Sequence, residues 1–302
     1  MTARITLALL AIVPAVMTYP WHTTTHKWVL GIAAGVLVIV FAWWRGLFVT
    51  TMLARRFAVW RRNLAGEATS AADAMTVVLK VQTDDRFPYQ TLPLIAAYVD
   101  RYGIRCKSVR VTEHQVDDTH QAWVSVTIAA EPNIAALQAR SSELPLADAA
   151  QQVARRLADQ LREAGLQVFA ADSAPTLLQP SAREKWRAVR DSDGYLTAYG
   201  LPVDQRLANC LAELASNTER WSVLEFSREA ATSVISAACA VRTATAPAAL
   251  SGLVCQPGRQ RPLMQAMAPA SPGGLGTPTT AVTAALLAAL APHNAEDSVA
   301  VS

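Results

Sequence analysis

Few side chains in this 302-residue chain have the type and spacing to do chemistry, and they fall in short clusters. Asp191-Ser192-Asp193 has the D-x-D form with which many glycosyltransferases hold a divalent cation and a nucleotide-sugar pyrophosphate. Two carboxylates so close can share one hard cation. The same residues run into Gly194, however, and Asp-Gly is a hairpin signal in which an acid serves turn geometry alone. Asp84-Asp85 and Asp117-Asp118 are further acidic pairs in expected loops. His22 and His26 have a helical metal spacing but sit in a threonine-rich turn. His114 and His120 flank an expected hairpin and could approach each other; solvated loop histidines are the plainer reading. Arg155-Arg156 fits the solvated face of a helix. Cys106, Cys210, Cys239 and Cys255 have no metal-ligand spacing and read as reduced thiols. The sequence has no Walker A loop, no G-x-G-x-x-G turn after a strand, no G-x-S-x-G elbow and no H-E-x-x-H helix. The expectation is a protein that is not an enzyme, with no catalytic, cofactor or metal residues. A tethered glycosyltransferase-like enzyme using Asp191 and Asp193 is the alternative.

The elements that position these residues begin with two uncharged apolar blocks, Ile5 to Tyr19 and Trp28 to Trp44, joined by a polar turn from Pro20 to Lys27. The second block, as a helix, is roughly 26 Å long, close to the ~30 Å hydrocarbon core of a bilayer. The first contains Pro14, which removes a backbone hydrogen bond. A signal peptide is the competing reading of that first block, but no small-x-small cleavage site closes it. The expectation is a two-helix transmembrane hairpin over residues 1–45. Trp21, Trp28, Trp43 and Trp44 are its interface anchors. Arg45, Arg55, Arg56, Arg61 and Arg62 follow it, and the first acid is Glu67. By the positive-inside rule, the N-terminus and the C-terminal region are cytoplasmic, in a two-span protein of the bacterial inner membrane. Residues 46–74 read as a basic juxtamembrane helix and linker. There Phe48, Met52, Phe57 and Trp60 have helical spacing for an interface, and the arginines would face anionic lipids.

The formal net charge is only +3 although residues 1–66 are purely basic, so the remainder is slightly acidic and nucleic acid is not an expected partner. Residues 75–243 are expected to form a mixed α/β cytoplasmic domain, with 75–172 and 183–243 as its possible parts. In the first part, Thr76 to Val81, Cys106 to Thr112, Ala122 to Ala129 and Leu166 to Ala170 read as strands. Leu92 to Tyr102 and Asp148 to Ala164 read as helices, stopped by Gly103 and Gly165. The order β-α-β-β-α-β suggests a ferredoxin-like arrangement. In the second part, Lys185 to Arg190 and Tyr195 to Leu201 are expected as a hairpin. Leu207 to Ala215 follows as a helix, then Trp221 to Phe226 and Val234 to Val241 as strands. Whether the two parts share one sheet is open. Residues 244–302 are Ala/Pro-rich and expected to be partly ordered, with a helix at Thr280 to Leu290. The fold class expected overall is membrane-anchored α+β.

Several runs resemble a known family. Pro20-Trp21, Thr23-Thr24, Trp28-Val29-Leu30-Gly31, Trp43-Trp44-Arg45-Gly46 with Phe48 and Thr50-Thr51, and Arg61-Arg62-Asn63 are similar to the N-terminal signature of EccE. EccE is a membrane component of the mycobacterial type VII (ESX) secretion system. The likeness continues in Tyr98-Val99-Asp100-Arg101-Tyr102-Gly103-Ile104, in Ala136-Leu137-Gln138-Ala139-Arg140-Ser141 and in Leu157-Ala158-Asp159-Gln160-Leu161-Arg162-Glu163, in this order up to about Thr243. The resemblance implies a structural translocon subunit with EccB, the EccC ATPase and EccD as partners and the mycosin protease nearby. It carries no catalytic residue to transfer. A lipid-sensing adaptor is a further reading.

Overall fold

The structure is a computed structural model. It describes residues 10, 12–13, 16–17, 28–34, 43–44, 47–65, 73–83, 87–139, 145–171, 173–204, 206–207, 210–211, 214, 219–245, 250 and 253–291. The chain divides into two compact units, Met1–Gly66 and Glu67–Ser302.

In the first unit, residues 28–34 are helical, β1 (Trp43–Trp44) pairs with β2 (Leu47–Phe48), and α1 spans Val49–Ala65. This corrects the expected transmembrane hairpin, and with it the fold class and the two-span inner-membrane placement that rested on it. Among the described residues no helix is long and apolar enough to cross a membrane. The physical reason lies at the end of the second block. It was only just long enough for a bilayer as a helix, and its last two residues, Trp43 and Trp44, are taken into a strand. Aromatic residues favour strands. The interface role of Trp21 and the charge of Arg45 lie outside the described residues.

The second unit is built on one antiparallel sheet. Its first half consists of β3 (Ala74–Gln82), α2 (Leu92–Ala97), the hairpin β4 (Asp100–Arg101), β5 (Ile104–Val116), β6 (Thr119–Ala129), α3 (Ile134–Gln138), α4 (Leu146–Glu163) and β7 (Gln167–Ala170). The strand order β7-β3-β6-β5 is fourth, first, third, second, the ferredoxin-like order expected from the sequence. α4 forms because Ala150, Val153, Leu157 and Leu161 recur on one face, all buried. Its end is a Schellman motif: Gly165 N donates to Arg162 O (2.9 Å) and Leu166 N to Leu161 O (3.0 Å), with Gly165 at φ 90°.

The second half comprises β8 (Arg183–Glu184), β9 (Val189–Asp191), β10 (Gly194–Leu201), β11 (Glu219–Glu229), β12 (Thr232–Thr243), β13 (Val254–Cys255), α5 (Gln260–Met267), β14 (Thr279–Ala281) and α6 (Ala284–Leu290). Its order β11-β12-β10-β13 is second, third, first, fourth, counting β10 as first. The second half therefore repeats the strand order of the first, and the two join through their second strands, β5 and β11, which pair from Val116↔Glu219 to Ser108↔Ser227. The question left open by the sequence is answered: both parts share one sheet. The outer edge of β10 is divided between β9 and β13. At the gap, the Gln260 side chain stands in for a strand. Its Oε1 accepts from Ala198 N (2.8 Å) and its Nε2 donates to Ala198 O (3.1 Å). An unpaired buried peptide group would otherwise cost about 1–3 kcal/mol.

Each face of the sheet has its own core. One carries Val109, Val111, Val126, Leu224, Phe226 and Ile235 under α2, α4 and α6. The other carries Trp123, Trp221, Val223 and Ala238 under α5 and the segment around Leu177. Burial on both faces explains the nearly continuous apolar run Ala237 to Val241 in β12.

Candidate functional site

Three polar centres stand out, and each is placed by the sheet register. At the joint between the halves, Arg110 of β5 lies directly opposite Glu225 of β11. Both are buried, at 1% and 5% exposure. They are ion-paired, with Arg110 Nε also donating to Glu225 Oε2 (3.2 Å). The guanidinium then grips the last turn of α5 and the chain that follows it. Nη1 donates to the carbonyls of Ala266 (2.7 Å), Ser271 (3.2 Å) and Ala268 (3.3 Å), and Nη2 to Gly273 O (2.6 Å). Glu225 Oε1 accepts from Leu275 N (3.3 Å). A buried charge pair is tolerable when the remaining donors and acceptors are also satisfied, as they are here. Neither residue was singled out from the sequence. The alternation Val109-Arg110-Val111 reads as a strand with Arg110 toward solvent, and only the covered second face makes it interior.

The second centre lies on the same face, toward the hairpin ends. His114 stacks on Trp221 (centroids 3.8 Å apart, 14° between planes), and Trp221 lies 6.0 Å from Trp123. His114 Nε2 is 3.5 Å from Glu219 Oε1. Arg242 Nε donates to Glu219 Oε2 (2.7 Å), and its Nη1 reaches both oxygens of Asp191 (2.8 and 2.9 Å). Burial pushes the Glu219 carboxyl up, but His114 and Arg242 outweigh it and hold the group below the usual carboxylate range. Arg242 is displaced upward: burial opposes its charge, and Asp191 and Glu219 more than compensate.

This geometry settles where the D-x-D residues go. The Asp191 carboxylate is engaged by Arg242 and also accepts from Asp193 N (3.0 Å). Asp193 accepts instead from Gln179 Nε2 (2.6 Å) and Ser192 Oγ (2.9 Å). The two-residue loop is Ser192-Asp193, with Asp191 paired to Gly194. Among the described residues no group of three or more His, Cys, Asp or Glu side chains is placed to hold a metal ion. His114 and His120 are not brought together: they sit on neighbouring residue pairs, His114↔Gln121 and Gln115↔His120, and so point to opposite faces. The four cysteines are free thiols. Burial, with a contribution from Asp100, pushes Cys106 up to about 12. His22, His26 and Asp84-Asp85 lie outside the described residues.

The third centre is on the surface. Arg101 Cζ lies 5.1 Å from the Tyr98 ring centroid and 5.0 Å from that of Tyr102, and Arg156 Cζ lies 4.8 Å from Tyr102. Gln160 accepts from Arg101 Nη1 (2.9 Å) and donates to the Tyr102 hydroxyl (3.1 Å). Of the other expected positions, Trp28 is exposed on the helical stretch 28–34. Arg56 and Arg61 are exposed on α1 and Arg55 and Arg62 half-buried, beside exposed Leu53, Phe57 and Trp60. Trp43 and Trp44 form β1.

Comparison with known proteins decides the family. Residues 118–201 match the family model described as "Putative type VII ESX secretion system translocon, EccE". The ESX-3 secretion system protein EccE3 of Mycolicibacterium smegmatis is 44% identical over 276 residues, covering 90% of this chain and 89% of that protein. EccE3 of two Mycobacterium tuberculosis strains, CDC 1551 and H37Rv, is 39% identical over 282 residues, covering 89% of this chain and 85% of theirs. The chain belongs to the EccE family. It is thus a component of a type VII secretion system, and its partners are other components of that system. Two EccE-like runs noted in the sequence meet in the surface centre: Arg101 and Tyr102 come from one, Gln160 from the other. A third run, starting at Ala136, follows Asn133. That side chain bonds both backbone groups of Arg105, accepting from its N and donating to its O (2.8 Å each).

Proposed function

We propose that this EccE-family protein is a non-catalytic structural subunit of a type VII translocon, of the ESX-3 kind named for its relatives, and that it supports assembly and protein export. The observation that carries the reading is the single cross-braced sheet. Two halves of like strand order are fused through β5 and β11, and the joint is clamped by Arg110 and Glu225. Such a body transmits position between neighbours without a moving part. Of the acids flagged as candidate chemistry, Asp191 is tied to Arg242. The proposed partners are EccB, the EccC ATPase and EccD, with the mycosin protease nearby. In α1, Arg55, Arg56, Arg61 and Arg62, with Trp43 and Trp44 before them, orient the subunit, and anionic lipid headgroups are the counterpart of the arginines. The exposed side chains Leu53, Phe57 and Trp60 recur at helical spacing and support that reading.

The test is co-purification from the native cell in mild detergent. The tagged full-length chain should bring down an EccC-type ATPase and an EccD-type subunit. Replacing Arg55, Arg56, Arg61 and Arg62 by Gln together should reduce both the complex and secretion. Recovery of the wild-type chain alone, or with cell-envelope biosynthesis enzymes, would overturn the reading.

A further inference from the structure

We infer that the tip of the β4–β5 hairpin, formed by Arg101 and Tyr102 with Arg156 of α4, is a docking surface for a carboxylate-rich segment of a neighbouring protein subunit. The inference rests on the structural-subunit reading and names the chemistry of one contact.

The first observation is a residue that its backbone position disfavours. Arg101 pairs with Ile104, leaving Tyr102-Gly103 as a two-residue loop with φ 57° and 73°. Two positive φ values belong to the turn type that selects Asn, Asp or Gly at its first position. The first loop residue of the β5–β6 hairpin is Asp117 at φ 49°, and that of the β11–β12 hairpin is the small Ala230 at φ 53°. A tyrosine in that position is strained, and although its ring meets Tyr98 edge-on at 6.1 Å and lies beside Arg101 and Arg156, the residue is still 47% exposed. Residues that break a local rule point to a role outside the local fold.

The second observation is charge. Two guanidiniums converge on the Tyr102 ring, at 5.0 and 4.8 Å. The neighbouring acids are committed elsewhere, Asp100 to Arg228 and Asp159 to Arg162. Among the described residues neither Arg101 nor Arg156 has a carboxylate partner. Gln160, which fixes Arg101 and the Tyr102 hydroxyl, is neutral and leaves both positive charges uncompensated. Both guanidiniums therefore remain available to an incoming anion.

The third consideration is the kind of anion. Guanidinium forks match carboxylates and phosphates alike, two bonds at a time. Arginine and tyrosine together are the side chains enriched at the centres of protein interfaces. Arg156 sits in the middle of α4 and the rest of the cluster on a hairpin, so no helix N-terminus is present to cradle a phosphate. The pairing of arginine with an exposed tyrosine therefore favours acidic side chains of a protein surface, and a lipid headgroup is the outcome the test must exclude.

The experiment uses the full-length chain expressed in its native cell. Arg101→Glu/Arg156→Glu is compared with wild type and with Arg155→Glu, a neighbouring exposed charge outside the cluster. The double variant should lower recovery of the secretion complex roughly tenfold or more, while chain abundance and Tm stay at wild-type values and Arg155→Glu is without effect. Tyr102→Asn exchanges the ring's contacts with Tyr98, the two arginines and Gln160 for a residue better suited to the turn, so the chain should stay folded and as abundant as wild type and still lose complex. A photo-crosslinking phenylalanine at position 102 should label a partner peptide rich in Asp and Glu. Replacing those acids by Lys should restore the complex to Arg101→Glu/Arg156→Glu. Full recovery of the complex with the double variant, or crosslinks confined to lipid or to uncharged peptides, would overturn the inference while leaving the subunit reading intact. Recovery of the wild-type chain alone would sink both.

Discussion

Replacing Arg110 by Met tests the joint between the two halves directly. The substitution keeps the volume and chain shape but removes the charge. It leaves Glu225, 5% exposed, as a buried carboxylate with only Leu275 N bonded to it. It also strips a donor from the carbonyls of Ala266, Ala268, Ser271 and Gly273. Removing one partner of a buried pair costs about 3–5 kcal/mol. For a body of this size that is a Tm drop of roughly 6–20 °C. Glu225→Gln is milder, because Gln still accepts from Leu275 and Arg110 keeps its carbonyls; about 1–3 kcal/mol is expected. The double variant Arg110→Met/Glu225→Gln no longer buries an unpaired charge, so its cost should be less than the sum of the singles. The assay is urea unfolding of the full-length chain, with hydrogen exchange followed over residues 260–275. Amides of α5 should exchange faster in Arg110→Met, because the guanidinium is what ties the end of that helix to the sheet. A loss below about 1 kcal/mol for Arg110→Met, or purely additive effects, would refute the clamp.

Three further outcomes follow from the other centres. Glu219 has its folded pKa below the ordinary 4.5, so its contribution to stability is complete above that value and is lost as pH falls through the folded pKa. Arg242→Met should therefore raise the midpoint of acid unfolding, and an unchanged midpoint would count against the Glu219–Arg242–Asp191 chain. Iodoacetamide at pH 8 should spare Cys106 and Cys239 in the folded protein, because burial raises both thiols and excludes the reagent, and should modify all four cysteines in urea. Native labelling of Cys106 would contradict its place under α2 and α4. Asp191→Asn should lower Tm by breaking the Arg242 pair, whereas a manganese and nucleotide-sugar mixture should leave the wild-type Tm unchanged. Stabilisation by several degrees would reopen the glycosyltransferase-like reading.

How much of this was legible depended on whether a residue's local pattern agreed with its surroundings. The first half was readable in order and kind because β3 and β6 are rich in β-branched and apolar residues and α4 carries a periodic stripe: buried Val153, Leu157 and Leu161 have only one helical explanation. The predicted hairpin loop His114 to His120 shrank to Asp117-Asp118, since polar residues on paired strands look like loop when one face is assumed wet. The helix expected to run to Tyr102 stops at Ala97, because the turn at Tyr102-Gly103 lacks the usual Asn or Asp and gave no hairpin signal. α5 was missed for a related reason. Gln260 and Arg261 read as solvent-facing, yet both are buried: Gln260 replaces a strand at Ala198, and Arg261 bonds Glu184 and the Ala182 carbonyl.

These misses share a cause that bears on function. Arg110, Glu225, Gln260 and Tyr102 each violate the pattern of the element that carries them, and the first three are explained by a contact distant in sequence. For Arg110 and Glu225 the contact is internal and braces the joint between two halves of like strand order, and for Gln260 it closes the edge of β10. Tyr102 differs, because its internal contacts, with Tyr98, two arginines and Gln160, gather positive charge at the surface without neutralising it. A fold that satisfies buried Arg110 with a carboxylate and four carbonyls, yet leaves Arg101 and Arg156 uncompensated, spends its bracing on the interior. The exposed charge at the hairpin tip is then the part of the molecule addressed to a neighbour.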